Sequence, residues 1–199
     1  LKVVSRYGVG YDSVDVAALT ERGIPLCVAA TSNAVSVAEH TMYFILSLAK
    51  KSVEFDHATR NDNFWIKRQM GAQDIADKSV LLVGFGRIGT RVAKRALAFD
   101  MKVSVIDPFV DDAVIKAAGC TPVHDLAAVL PQMDFVSLHC PKSPETVNLM
   151  GKAQFAAMKP TAHVINTARG GMVDEDALYD ALTSGAIAGA GIDVFASEP

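Results

Sequence analysis

Within Val80-Leu-Leu-Val-Gly84-Phe-Gly86-Arg-Ile-Gly89, three glycines fall where an apolar, strand-like run passes into a helix-like one. That spacing suits a phosphate-binding turn: Gly84 permits the sharp bend, Gly86 lets the backbone come close to a pyrophosphate, and Gly89 lets the helix pack against the strand. The helix N-terminus then offers unpaired N–H groups and a partial positive charge to an anion. Glycines at this spacing also occur in ordinary turns, so the context decides. A second apolar run, Lys102-Val-Ser-Val-Ile106, ends in Asp107, about 20 residues beyond the glycines, where the next parallel strand should finish. A carboxylate there can accept both hydroxyls of an adenosine ribose and would repel a 2′-phosphate. Pro108 and Phe109 bring no arginine to offset that repulsion, so NAD is expected over NADP. The plainer reading of Asp107 is a solvated acid at a strand end.

Ligands of parallel sheets bind beyond the carboxyl ends of the strands, which directs attention to four further segments. These are Gly8-Val9-Gly10, His139-Cys140-Pro141, Asn166-Thr-Ala-Arg169-Gly-Gly171, and Asp193 to Glu198. Arg169, set between an apolar strand and two glycines, has the planar fork that grips a carboxylate bidentately. An arginine paired with a surface acid is the commoner arrangement. Glu198 by itself is an ordinary loop carboxylate. Of the five histidines, His57 and His124 are peripheral, His40 lies in a helix, and His139 and His163 border apolar runs as structural side chains would. No HExxH or similar spacing suggests a metal.

These residues need a scaffold, and strand-like and helix-like runs alternate along the whole chain. Strands are expected at Lys2 to Ser5, Leu26 to Ala29, Val80 to Val83, Val103 to Ile106, Phe135 to Leu138, His163 to Asn166 and Ala188 to Ile192. Helices are expected at Val14 to Arg22, Val37 to Lys51, Ile88 to Phe99, Asp112 to Ala118 and Asp174 to Thr183. The pattern predicts an α/β fold, a doubly wound parallel sheet with helices on both faces. Ser36 and Glu39 have capping-box spacing, and Gly185 is placed to stop a helix. The polar stretch from Asn61 to Lys78 reads as a surface loop; its Phe64 and Trp65 either face a partner or pack beneath it.

Composition narrows the function classes. With 199 residues, 50% of them hydrophobic, the chain can bury a sizeable core. A net charge of −3 gives no reason to expect nucleic acid, although Arg87, Arg91, Lys94 and Arg95 recur at helical spacing. Cys27, Cys120 and Cys140 form neither a CxxC pair nor a dense framework, which points to small core thiols in a reducing compartment. No apolar run is long enough for a membrane and no signal-peptide pattern opens the chain, so a cytoplasmic location is the default. Strand-like residues at the start and an unclosed end suggest part of a longer protein. Residues 1–30 are assigned to a remnant of a second, split domain and 31–199 to the dinucleotide domain.

Taken together, Val80 to Gly89, Asp107, His139-Cys-Pro141, Asn166 to Gly171 and Gly191-Ile-Asp-Val-Phe-Ala-Ser-Glu-Pro199 resemble the NAD-dependent D-2-hydroxyacid dehydrogenases. Arg6-Tyr-Gly-Val-Gly10 and Val37-Ala-Glu-His40 bring the chain nearest the phosphoglycerate dehydrogenase branch. The resemblance implies hydride transfer between NAD and a small 2-hydroxy or 2-oxo acid. It implies that Arg169 binds the substrate carboxylate with help from the amides of Gly8, Val9 and Gly10, and that Glu198 partners a catalytic histidine. Val9, Arg87, Ile88, Asp107, Cys140, Thr167, Ala168 and Asp193 match cofactor-contacting positions, beside Gly84, Gly86 and Gly89. Arg6 is a candidate for a substrate phosphate, and an ion pair with Asp12 or Asp15 fits it equally well. In the family the catalytic histidine lies beyond the Glu-Pro pair, so this chain alone is expected to be nearly inactive. A homodimer joined around Val37 to Lys51 is implied. Hydroxypyruvate and glyoxylate are alternative substrates, a corepressor-like interaction module is the alternative class, and formate oxidation is disfavoured by Glu198.

Overall fold

The computed structural model describes residues 1–69 and 71–198. The chain opens with β1 (Val4–Arg6), α1 (Val16–Glu21) and β2 (Leu26–Val28), the two strands forming a small parallel sheet of their own. Helices α2 (Ala34–Lys50) and α3 (Ser52–Arg60) lead to the main body. There, in chain order, come β3 (Ser79–Val83), α4 (Gly89–Ala98), β4 (Lys102–Ile106), α5 (Asp112–Ala117), β5 (Thr121–Pro122) and α6 (Leu126–Val129). They are followed by β6 (Phe135–Leu138), α7 (Lys152–Ala157), β7 (His163–Asn166), α8 (Glu175–Thr183) and β8 (Gly189–Ile192). The six strands are parallel, in the order β5-β4-β3-β6-β7-β8, which is the doubly wound sheet expected.

Side-chain alternation along β3 divides the core in two. Val80 and Leu82 join Val105, Phe135 and Ile165 on one face, beneath α2 and α4. Leu81 and Val83 join Val136, Leu138 and Val164 on the other, against Val129 of α6, Phe155 of α7 and Leu178 of α8. A strand covered on both faces has no wet side, which is why Val80 to Val83 is uninterruptedly apolar. Leu81 and Leu82 are wholly buried, and each such side chain stabilises the fold by roughly 1.5–3 kcal/mol. With β4 on one side of β3 and β6 on the other, the connections diverge and a crevice opens beyond the carboxyl ends of β3 and β6.

Several local expectations change. Helix α2 begins at Ala34, its N-cap Asn33 makes no side-chain cap bond, and the Ser36–Glu39 capping box does not form. Glu39 reaches across to Arg95 of α4 at 3.1 Å instead, and packing of the buried Ala34 and Ala38 carries the helix upstream. Gly185, at φ +74°, does follow α8 as its stop. The stretch after Asn61 contains a 3₁₀ turn, Phe64–Arg68, whose Phe64 and Trp65 are exposed. Lys67 Nζ lies 4.5 Å from the centre of the Phe64 ring and Arg68 Cζ 4.4 Å from that of Trp65, so cations cover the rings that the loop leaves open. Cys120 is buried, but Cys27 is exposed because alternation along β2 turns it away from the half-buried Leu26 and Val28. Among the described residues no helix is long and apolar enough to cross a membrane, and no group of three or more His, Cys, Asp or Glu could hold a metal ion.

Candidate active site

The bend after β3 accepts only glycine at two of its three positions. Gly84 has φ +105°, and a Cβ there would lie 2.7 Å from Cys140 N and 2.7 Å from the carbonyl carbon of His139. A Cβ on Gly89 would overlap the Gly84 carbonyl oxygen. Gly86 has nothing within 4 Å of where a Cβ would stand, so its backbone can be approached. Among the described residues the amides of Gly86, Arg87 and Ile88 donate to no other group of the chain. Open space, free donors and the positive end of α4 together fit a pyrophosphate.

Asp107 is fixed at the end of β4. Its Oδ2 accepts the Phe85 N–H at 2.7 Å and its Oδ1 accepts the Phe109 N–H at 2.9 Å. The carboxylate therefore fastens the glycine bend to the neighbouring strand, and each oxygen keeps acceptor capacity for a hydroxyl. Arg87 Nη1 donates to the Ala30 carbonyl at 3.1 Å, tying the bend to the residues ahead of α2. After β6, the His139 N–H donates to Val83 O at 2.7 Å and its Nε2 meets Ser137 Oγ at 2.9 Å. The expectation of satisfied structural histidines does not hold in full, since Nδ1 of both His139 and His163 is buried without a partner among the described residues. Burial pushes the His139 imidazole down to about 4 and, together with the Asp107 charge, the Cys140 thiol up to about 11, so both are neutral at pH 7.

The loop after β7 is bracketed by Asn166, whose Nδ2 donates to Arg169 O at 2.9 Å and whose Oδ1 accepts the Ala168 N–H at 3.0 Å. Thr167 Oγ1 meets Thr41 Oγ1 of α2 at 3.0 Å in a buried contact. The Phe195 carbonyl crosses so close to Gly170 that a Cβ would overlap it. Thus held, Arg169 reaches the first segment: Nε donates to Asp12 Oδ2 at 3.0 Å, Nη1 to Ala168 O at 2.7 Å, and Nη2 lies where a Cβ on Gly10 would be. The amides of Gly8, Val9 and Gly10 donate to no other group among the described residues.

Arg6 pairs with neither of the acids offered for it. Its Nε donates to the Gly10 carbonyl at 2.7 Å, because the loop curls that carbonyl back onto β1. Asp12 has turned to Arg169, and Asp15 accepts the Ala18 N–H as the N-cap of α1. Asp193 donates its N–H to Asn166 O at 3.0 Å, and its carboxylate stands 3.4 Å from His40 Nε2. Glu198 Oε1 accepts the Phe195 N–H at 3.0 Å, and Pro199 of the same motif lies outside the described residues.

Adjoining cavities join these groups into one cleft. The first, about 400 Å³, runs from Asp107, Pro108 and Phe109 past Gly84 and Gly86 to His139 and Cys140. The second, about 300 Å³, shares His139, Cys140 and Pro141 and continues past Arg87, Ile88 and Thr167 to Val9, Ala168 and Arg169. The third, about 440 Å³, shares Val9, Ala168 and Arg169 and is lined also by Arg6, Gly8, Gly10, Asp12, Lys142 and Glu198. Gly89 and Asp193 line none of the three: Gly89 packs behind the bend, and Asp193 faces His40. Asp12 and Lys142 were not singled out as site residues. Lys142 immediately follows His139-Cys-Pro141 and Asp12 closely follows Gly8-Val-Gly10, so the strand-end rule could have found both.

Residues 42–199 match the family model described as D-isomer specific 2-hydroxyacid dehydrogenase, NAD binding domain. The chain belongs to this family. D-3-phosphoglycerate dehydrogenase of Mycobacterium tuberculosis is 43% identical over 199 residues, which is 100% of this chain and 37% of that protein. Hydroxypyruvate reductase of Thermotoga maritima is 37% identical over 201 residues, 100% of this chain and 63% of that protein. Among solved structures, D-lactate dehydrogenase of Aquifex aeolicus, complexed with NAD and lactic acid, matches with a TM-score of 0.89 at 35% identity, covering 98% of this chain and 58% of that one. The chain therefore spans little more than a third of the D-3-phosphoglycerate dehydrogenase it matches. The matched model is that of an NAD-binding domain, so the cofactor is NAD, the one expected.

Proposed function

We propose that the chain is the cofactor-binding part, with a share of the substrate cleft, of an oxidoreductase that moves a hydride between NAD(H) and C2 of a small D-2-hydroxy or 2-oxo acid. A 3-phosphoglycerate-like substrate fits best, with hydroxypyruvate and glyoxylate as alternatives. The observation carrying this reading is the order of groups along the cleft: Asp107, then the free amides of Gly86 to Ile88, then Arg169. Residues 1–30 are assigned to the substrate side and 31–199 to the NAD side, with α2 connecting them. A cytoplasmic homodimer built around α2 completes the reading.

Bound NAD supplies the hydride acceptor or donor. Asp107 holds the adenosine ribose, and the bend of Gly84, Gly86 and Gly89 presents the Arg87 and Ile88 amides to the pyrophosphate. Val9, Cys140, Thr167 and Ala168 flank the nicotinamide half, whereas Asp193, turned to His40, stands outside the three cavities. Arg169 grips the substrate carboxylate and polarises the reacting carbonyl, the Gly8 to Gly10 amides share the carboxylate, and Arg6 meets the phosphate. Glu198 orients and raises the pKa of an imidazole that carries the hydroxyl proton. His139, alone among the described histidines in lining the cleft, is too weak a base for that task at a pKa of about 4, and its Nε2 is taken by Ser137. The proton-carrying imidazole is therefore expected from outside these 199 residues.

Two measurements test the reading. The whole protein is assayed with NADH and a panel of 2-oxo acids, namely phosphohydroxypyruvate, hydroxypyruvate, glyoxylate and pyruvate. Saturable NADH oxidation with one of them is expected, and no oxidation with any overturns the assignment. Asp107→Ser is expected to raise the Kd for NAD about tenfold or more, since hydrogen bonds to a charged group contribute ~1.5–3 kcal/mol. Unchanged affinity in a fluorescence titration refutes the ribose assignment.

A further inference from the structure

The guanidinium of Arg169 is not presented to the cleft as a free fork. Asp12, from the opposite bank, occupies its Nε edge at 3.0 Å, and Ala168 O occupies Nη1 at 2.7 Å. Nη2 is left without a hydrogen-bond partner among the described residues. It lies beside Gly10, where the free amides of the Gly8 to Gly10 turn also stand. An oxygen held by Nη2 is thus within the reach of that turn as well.

We propose that Asp12 is a positioning residue for Arg169: its carboxylate grips the guanidinium at Nε and leaves the Nη2 edge, beside the Gly8 to Gly10 turn, for the carboxylate of a bound 2-hydroxy or 2-oxo acid. This rests on the dehydrogenase reading and deepens it by naming what orients the arginine. Among the described residues no other acid pairs with Arg169, and the nearby ones are turned to backbone N–H groups. Asp15 caps α1, Glu175 accepts the Ala196 N–H at 2.6 Å, and Glu198 accepts the Phe195 N–H at 3.0 Å. Burial acts to raise the Asp12 pKa, but the hydrogen bond and charge of Arg169, with the charge of Lys142, hold it below the usual carboxylate range, so the grip is ionic at neutral pH. Asp12 offsets the charge of Arg169 and Glu198 adds a second acid, but the same cavity contains Arg6 and Lys142, neither paired with an acid among the described residues, so cations remain in excess. An incoming carboxylate therefore still meets a net attractive field.

The test uses Asp12→Ala and Asp12→Asn in the whole protein, with hydroxypyruvate and NADH. Asp12→Ala frees the guanidinium, and it is expected to raise the KM for hydroxypyruvate about tenfold and to lower kcat/KM further, since small misplacements of a binding group have large kinetic effects. The Kd for NADH and the melting temperature should stay at the parent values, which separates a misplaced arginine from a damaged fold. Asp12→Asn keeps an oxygen that accepts from Nε, so it should recover most of the loss. Parent-like hydroxypyruvate kinetics in Asp12→Ala overturn the proposal. So does a lowered KM, which would make Asp12 a competitor of the substrate carboxylate, and so does Asp12→Asn behaving like Asp12→Ala. A parent protein that reduces no 2-oxo acid removes the dehydrogenase reading itself, an outcome distinct from all of these.

Discussion

Arg169→Ala is expected to lower kcat/KM for 2-oxo acid reduction by the whole protein about a thousandfold, or ~4 kcal/mol of transition-state stabilisation. One guanidinium is assigned two tasks, gripping the carboxylate and stabilising charge on the reacting carbonyl, and loss of a single such donor often removes two to three orders of magnitude. The loop around it should survive, because Asn166 and the Thr41–Thr167 contact hold its backbone independently of the Arg169 side chain. NADH affinity should accordingly stay within about twofold of the parent. Arg169→Lys should not restore the rate, since an ammonium has neither the fork nor an Nε for Asp12. Steady-state kinetics beside an NADH titration decide the matter. Near-normal turnover in Arg169→Ala removes the residue from the reaction.

The second large effect is on the fold. Gly84→Ala is expected to lower stability by about 3 kcal/mol and to weaken NADH binding with it. At φ +105° an L side chain is strained, and its Cβ would press on backbone atoms of His139 and Cys140 at 2.7 Å. Those atoms cannot yield easily, because the His139 N–H is bonded to Val83 O. Gly86→Ala is the informative partner. A methyl there meets nothing in the protein, so melting should be unchanged while NADH affinity falls, the added group standing where the pyrophosphate must come. Thermal unfolding and NADH titration of both variants separate a glycine needed by the chain from one needed by the ligand. Equal melting of Gly84→Ala and the parent would contradict the tight packing described for the bend.

The parts that could be read beforehand are those whose causes are local. The apolar run of β3, the glycines behind it and Asp107 beyond β4 are each placed by their neighbours in the chain, and the fold brings them to one crevice. What escaped was decided by distant partners. Glu39 has the right spacing for a capping box, yet Arg95 of α4 attracts it, and no local rule weighs a tertiary ion pair. The break between α2 and α3 falls on Lys51 at φ +51°, a left-handed residue that no glycine or proline advertises. The pairing of Arg169 with Asp12 spans 157 positions. Composition could say that an arginine finds an acid, but only the folded chain could say which.

The two halves of the cleft are not equally prepared. Everything assigned to the adenosine and pyrophosphate belongs to one packed sheet, stapled by Asp107 to Phe85 and by His139 to Val83. The residues proposed to grip the carboxylate are divided between the β7 loop and the β1–β2 segment, which Arg169 and Asp12 join at 3.0 Å. The adenosine end of the cleft thus rests on one sheet, whereas its other end depends on a contact between two segments. If both ligands bind as proposed, initial-rate kinetics of the whole protein are expected to show the nucleotide binding before the acid.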